Sequence, residues 1–197
     1  MPDGSDHDGP ARDAGGRVGD DPDAALLARL AEGDDEAARQ LAARHLGRLH
    51  GHAMRMLGDR AEAEDVVQDT FIKAWRIAPR WREGQARFST WLYQVTSNAC
   101  LDRLRRRRPT EDIDERVDAS PGPGPEAVLA EAQRGAQVQA ALDALPPRQK
   151  TALLLFHHQG LSQAEASAAM GISEDALESL LARARRTLRA QFRGDTP

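Results

Sequence analysis

Residues 162–186 read SQAEASAAMGISEDALESLLARARR, and this stretch decides the fold of the C-terminal part of the chain. Ser162 and Glu165 have the spacing of a capping box, which predicts the start of a short helix. Gly171 suits the left-handed conformation that ends a helix, and Ser173 can cap the next one. A short helix, a glycine turn and a longer basic helix predict a DNA-reading helix-turn-helix. An ordinary helical hairpin is the alternative for this segment alone.

The rest of the chain also has helical periodicity, and no strand pattern is visible. Helices are predicted over 24–32, 35–57, 59–78, 89–107, 126–144 and 148–158. Residues 109–125 are rich in proline, glycine and acids, which predicts a flexible linker. We therefore expect an all-α protein of two small helical domains, 23–108 and 126–193. Residues 1–22 are expected to be a disordered acidic tail.

The net charge of −4 hides a segregation of charge along the chain. Residues 76–108 carry nine arginines and two acids, and residues 183–193 carry five arginines and no acid. Residues 1–36 and 110–131 are strongly acidic. Alternating basic and acidic blocks on separate helices favour a protein that binds a polyanion.

Four aromatic residues lie among the arginines of the first basic block, although aromatic residues make up only 4% of the chain. They are Trp81, Phe88, Trp91 and Tyr93. Aromatic faces stack on unpaired bases while arginines follow the backbone, so this segment is a candidate single-strand site. Burial in the core is the alternative, above all for Phe88 and Trp91. The arginine run at the end of the predicted helix 89–107 predicts phosphate contacts.

Several function classes have little support in the sequence. The single cysteine, Cys100, allows neither an internal disulfide nor a cysteine metal site, which fits a reducing cytoplasm. His157 and His158 fit no strong zinc pattern. No apolar run is long enough to span a membrane. We expect no metal, no cofactor, no small-molecule substrate and no catalytic residues, because no convergent catalytic set is present.

The motifs resemble those of the extracytoplasmic-function sigma factors of bacterial RNA polymerase. In the first domain the resemblance rests on DVVQDTF (65–71), FSTWLY (88–93) and LDRLRR (101–106). In the second it rests on LPPRQK (145–150), GIS (171–173) and LARAR (181–185). The first domain is then sigma region 2 and the second is region 4. The resemblance implies a promoter-recognition subunit in the cytoplasm, with core RNA polymerase and promoter DNA as partners.

The resemblance also implies a role for individual residues. Asp65, Gln68 and Asp69 would face the coiled coil of the largest polymerase subunit. The residues expected to read and open the minus-ten DNA are Trp81, Arg82, Phe88, Trp91, Tyr93, Asn98, Arg103, Arg105 and Arg106. The residues expected to meet the minus-thirty-five DNA are Ser173, Glu174, Asp175, Ser179, Arg183 and Arg186.

The chain departs from the family at Glu178 and Leu180, where cations are usual. Leu180 could anchor a protein partner or be a second buried leucine beside Leu181. Because nothing in the linker fixes the two domains, we expect an anti-sigma factor that covers both and can hold the protein at a membrane. Two alternatives to a sigma factor are a sigma-like protein that titrates an anti-sigma factor and a stand-alone repressor, which leaves 59–108 unexplained.

Overall fold

The computed structural model describes residues 21–81, 86–107 and 126–194, with side chains from 135 to 191 in the last range. Throughout these ranges the chain is helical and has no strand, as the sequence predicts. The first domain consists of α1 (Ala24–Ala31), α2 (Asp35–Leu57), α3 (Arg60–Ile77), a 3-10 turn (Ala78–Arg80) and α4 (Phe88–Arg106). The second consists of α5 (Glu126–Asp143), α6 (Pro147–Leu153), a π-helical turn (Leu154–His158), α7 (Gln163–Met170) and α8 (Glu174–Gly194). The predicted linker, 109–125, lies outside the described residues.

Local hydrogen bonds set the helix boundaries of the first domain. Asp34 caps α2, because its Oδ1 accepts from the backbone N–H of Glu36 at 2.8 Å. Gly58 ends α2 with a φ of 69°, in the left-handed region that glycine adopts without strain. Asp59 then caps α3 by accepting from the Glu62 N–H at 2.8 Å. These boundaries agree with the predicted ones to within about a residue.

The predicted helix-turn-helix is present. Ser162 and Glu165 form a reciprocal capping box at the start of α7. Gly171 ends that helix at a φ of 61°, and the Ser173 hydroxyl accepts from the Ala176 N–H at 3.2 Å to start α8. Because the turn is only three residues long, α7 and α8 lie close together.

The core of the first domain lies between α2, α3 and α4. Its fully buried side chains include Leu49, Val66 and Leu92. Cys100 is also wholly buried, and burial raises the pKa of its thiol to about 12, so the thiol stays protonated and unreactive. The second domain also has buried apolar side chains at its centre, among them Leu155.

Contacts with the first domain extend into the predicted tail. Asp21 and Pro22 belong to the predicted tail, yet both contact the first domain: Asp21 accepts from the Phe88 N–H, and the Pro22 carbonyl accepts from Arg44. Val138 of α5 is 54% exposed, because α5 turns this side toward a shallow groove beside α2. Periodicity alone does not locate the buried face of a helix as weakly amphipathic as this one.

The two domains contact each other, which the composition of the linker does not predict. Helix α7 packs against α4, and α5 and α6 contact α2. Lys150 on α6 is buried, and its Nζ donates to the Met56 carbonyl at 3.0 Å. That carbonyl belongs to the last turn of α2, where a cation is favoured by the helix dipole and by unpaired backbone oxygens.

Candidate polymerase and nucleic-acid interface

Helix α3 presents a polar face on the first domain. Asp65, Gln68 and Asp69 are all exposed there, and their spacing of three and four residues places them side by side on the helix. Arg103 of α4 lies 3.7 Å from the Asp65 carboxylate. This ion pair links the α3 face to the basic end of α4, and Asp65 remains 66% exposed.

An apolar groove of about 390 Å³ borders this polar face, between α2 and α3. Gln68 lies on its rim, and Trp75 lines it. Leu46 is 50% exposed and Ile72 is 39% exposed, and both line the groove, so they form one exposed apolar patch. The sequence prediction missed both residues. Leu46 follows Ala42 by four residues and so widens the apolar stripe of α2 beyond what the core covers.

Three of the four predicted aromatic residues form one cluster. The rings of Trp81 and Trp91 have centroids 5.9 Å apart, and both pack on Phe88. Phe88 is wholly buried, whereas Trp81 and Trp91 are half-buried. In this conformation Phe88 supports the two tryptophans, and within the cluster only the tryptophans are partly exposed. Arg82 lies outside the described residues.

Two acidic residues just before α1 hold the cluster in place. The Asp21 carboxylate accepts from the Phe88 N–H at 2.7 Å and so caps α4 across 67 residues of sequence. Two residues later, buried Asp23 hydrogen-bonds His45, whose ring meets the Phe88 ring edge-on. Burial pushes the pKa of Asp23 up, but hydrogen bonds from His45 and Arg44 outweigh it and hold that pKa below its usual value.

Tyr93 lies apart from the other aromatic residues, because two residues along a helix point to different sides. Its ring meets His52 of α2 edge-on, and its hydroxyl donates to Gln159 of the second domain at 2.7 Å. Only 6% of Tyr93 is exposed, and burial raises the pKa of its hydroxyl to about 12. His52 is wholly buried and hydrogen-bonds Ser97, and desolvation lowers its pKa to about 3.

The remaining predicted minus-ten residues lie along α4 toward its basic end. Asn98 and Arg105 line a cleft of about 490 Å³ between α4 and the second domain. Arg106 is exposed, and Arg105 also pairs with Asp102 at 2.9 Å. Arg107, unlike Arg105 and Arg106, makes contacts that stabilise the first domain: it donates to the Leu57 carbonyl and pairs with Glu62. The arginine run is therefore divided between helix capping and an exposed basic surface.

The predicted minus-thirty-five residues are all exposed at the start and on the outer side of α8. They are Ser173, Glu174, Asp175, Ser179, Arg183 and Arg186. Glu178 accepts a hydrogen bond from Gln163 of α7 at 2.9 Å, and this bond joins the two helices of the motif. Leu180 is partly buried against the core of the domain. Glu178 and Leu180, the two residues that depart from the family pattern, therefore both make contacts within the second domain.

Comparison with known proteins agrees with this geometry. Residues 41–110 match the family model for Sigma-70 region 2, and residues 135–188 match that for Sigma-70 region 4. The ECF RNA polymerase sigma factor SigM of Mycobacterium tuberculosis is 36% identical over 171 residues, covering 84% of this chain and 82% of SigM. The chain belongs to the extracytoplasmic-function sigma factors. Members of this family direct transcription initiation, so the resemblance and the non-enzymatic assignment are confirmed.

Two further relatives support the same family. SigE of Mycolicibacterium smegmatis is 36% identical over 159 residues, which cover 79% of this sigma factor and 60% of SigE. The solved structure of CnrH in complex with the cytosolic domain of CnrY matches with a TM-score of 0.70 and 30% identity. That match covers 89% of this sigma factor and 100% of the CnrH chain. The exact domain boundaries and the roles of individual residues stay predictions.

The region 2 match accounts for residues 59–108, which a stand-alone repressor would leave unexplained. In the described part of the chain, no helix combines the length and apolar character needed to cross a bilayer. The same residues include no group of three or more histidine, cysteine or acidic side chains placed to hold a metal.

Proposed function

We propose that this sigma factor binds core RNA polymerase through the α3 face and directs it to promoters whose minus-ten DNA it helps to open. The observation that carries the proposal is an exposed acid-and-amide face beside an exposed apolar groove. Acids suit a basic helical partner and fix its orientation. Apolar side chains such as Leu46 and Ile72 would supply most of the binding energy, since interface energy concentrates in a few buried anchors.

The minus-ten role is assigned to the tryptophan pair and the basic end of α4. Trp81 and Trp91 are partly exposed, and unpaired bases could stack on their rings at roughly 1–3 kcal/mol per base. Exposed Arg105 and Arg106 can follow the phosphates of the same strand. Binding energy alone would then favour the open promoter.

The minus-thirty-five role is assigned to α8. Its exposed N-terminal turns carry Ser173, Glu174 and Asp175, and the first two turns of a recognition helix are those that reach base edges. Arg183 and Arg186 lie further along and can hold the phosphate backbone. The carboxylates would accept from cytosine amino groups.

An anti-sigma factor is the proposed regulatory partner. CnrH, which resembles this chain over almost its whole length, was solved with the cytosolic domain of CnrY. The protein would work in the cytoplasm and be held at a membrane only through such a partner. The alternative of a sigma-like decoy loses its sequence support, because Glu178 and Leu180 have roles within the second domain.

A pull-down with purified core polymerase tests the α3 face. The double variant Asp65→Lys/Asp69→Lys should bind core polymerase at least tenfold more weakly while keeping its helical content. The control Glu32→Lys/Asp35→Lys makes the same charge change on an exposed corner outside this face and should bind normally. Undiminished binding by the first variant would remove the assignment.

Run-off transcription tests the function as a whole. Core polymerase with the wild-type protein should produce transcripts from discrete start sites on genomic DNA, and core polymerase alone should not. Absence of sigma-dependent transcripts in the presence of normal core binding would favour the decoy.

A further inference from the structure

Glu178 lies in the second turn of α8, on the same side as a residue assigned to the minus-thirty-five DNA. Helix α8 begins at Glu174, and Glu178 follows it by four residues, so the two side chains are neighbours on the helix surface. Both are exposed, whereas Leu177 and Leu181 are buried in the domain. Because the first turns of a recognition helix reach base edges, Glu178 belongs to the part of α8 that can meet a base pair.

The Glu178 carboxylate is held by one of its two oxygens. Its Oε1 accepts a hydrogen bond from Gln163 Nε2 at 2.9 Å. A carboxylate can only accept, so the amide nitrogen of Gln163, and not the amide oxygen, has to face it. From the described part of the chain, Oε2 receives no hydrogen bond. This second oxygen is therefore available to a donor from outside the protein.

Gln163 holds the carboxylate from the neighbouring helix. It is the first residue of α7, directly after the capping residue Ser162. In a helix-turn-helix the first helix crosses the DNA backbone while the second enters the major groove, so Gln163 can orient Glu178 from the backbone side. A side chain that is already fixed before binding loses less conformational entropy in the complex. The hydrogen bond from Gln163 thus prepares Glu178 for a base contact.

The chemistry of the Glu178 side chain restricts which base it can read. A carboxylate in the major groove accepts from the N4 amino group of cytosine. Guanine and thymine present acceptors at the corresponding edge, so they would leave the carboxylate desolvated and without a donor. A carboxylate near the phosphates of a duplex is also repelled unless a base donates to it, which penalises every wrong base.

We propose that Glu178, positioned by Gln163, reads one cytosine in the minus-thirty-five DNA through its second carboxylate oxygen. The inference rests on the proposed minus-thirty-five role of α8. Glu178 is then the residue that contacts the base, and Gln163 is a positioning residue that acts through Glu178. The pair determines the promoter sequence at one base pair, in addition to the contacts assigned to the first turn of α8.

Selection from a randomised promoter tests both roles. A promoter located by run-off transcription is randomised over about ten base pairs, one helical turn, in its minus-thirty-five region. Holoenzymes assembled from core polymerase and full-length sigma factor select from this duplex library, and sequencing gives the base preference at each position. The test variants are Glu178→Lys, Glu178→Gln and Gln163→Ala. Glu174→Gln is the matched control, because it removes the same charge one turn earlier on α8.

We expect the wild type to favour cytosine about tenfold over the other bases at one position. There Glu178→Lys should favour guanine and Glu178→Gln should favour adenine, because lysine donates to guanine and glutamine pairs with the N6 and N7 atoms of adenine. Gln163→Ala should reduce the cytosine preference to about threefold and leave every other position unchanged, since only one orienting hydrogen bond is lost. Glu174→Gln should keep the cytosine preference.

Separate results would overturn each part of the proposal. An unchanged profile in Glu178→Lys would overturn the base contact, and so would loss of the same cytosine preference in Glu174→Gln. An unchanged profile in Gln163→Ala, or a uniform loss at all positions, would overturn the positioning role of Gln163. Failure of the proposed function is visible separately, because the wild-type holoenzyme would then have no preference at any randomised position.

Discussion

The hydrogen bond from the Phe88 N–H to Asp21 provides a quantitative test of how the aromatic cluster is held. Helix α4 has no side-chain cap from its own N-cap residue, Arg87, and no acid in its first turn. Asp21 supplies both the capping acceptor and the negative charge from outside the helix, with its carboxylate oxygen 2.7 Å from the Phe88 nitrogen. Its other carboxylate oxygen accepts from the Asp23 N–H at 3.0 Å.

The expected cost of Asp21→Ala follows from these contacts. Loss of an N-cap costs about 1 kcal/mol. Loss of a negative charge at a helix N-terminus costs about 0.5 kcal/mol more. Asp21→Asn keeps an accepting oxygen and removes only the charge, so it should lose about a third as much as Asp21→Ala.

Urea unfolding followed by tryptophan fluorescence measures this cost directly, because all three tryptophans, Trp75, Trp81 and Trp91, lie in the first domain. With a slope of about 2 kcal/mol per molar urea, Asp21→Ala should lower the midpoint by about 0.7 M. Asp59→Ala, which removes the local cap of α3, is the control for an ordinary cap. A midpoint shift below about 0.2 M for Asp21→Ala, or an equal loss in Asp21→Asn, would refute the reasoning.

Three further outcomes are expected. Buried His52 has a pKa lowered to about 3, so below pH 6.5 the unfolded chain binds a proton at this residue and the folded chain does not. The free energy of unfolding should therefore fall by about 2 kcal/mol between pH 7 and pH 5 in urea titrations, and His52→Gln should flatten this slope. Gly171→Ala should destabilise the second domain by about 1 kcal/mol in circular dichroism melts, because a side chain at a φ of 61° is strained even where space is open, whereas Gly135→Ala within α5 should stabilise it. Trp81→Ala should reduce permanganate reactivity of melted thymines more than it reduces duplex binding, and Trp81→Phe should retain most of the opening; equal losses in both assays would count against base stacking.

Features encoded within a few residues were predictable from the sequence. The capping box at Ser162 and the glycine end of α7 have local signatures, and the structure has both where the sequence predicts them. The caps at Asp34 and Asp59 and the glycine end of α2 have signatures of the same local kind. The same holds for the exposure of Asp65, Gln68 and Asp69, since helical spacing separates them from the buried stripe of α3.

The contacts that were not predictable join residues far apart in sequence. Asp21 reaches Phe88 across 67 residues, and Lys150 reaches Met56 across 94. A carboxylate that caps a distant helix looks the same in sequence as one in a solvated tail. For the same reason the periodicity of α4 could not separate Phe88, which is buried as a support, from Trp91, which is half-buried.

The residue types on α4 explain how one helix can serve both as core and as interface. Phe88, Leu92, Thr96 and Cys100 follow one another at intervals of four and form the side packed into the first domain. Tyr93 lies on a second side, over His52, with its hydroxyl toward Gln159. A leucine there would resist exposure, whereas a tyrosine has an apolar body and a polar tip that can bond either to the second domain or to water. The first side therefore holds α4 in the core of the first domain, and the second side carries a contact with the second domain.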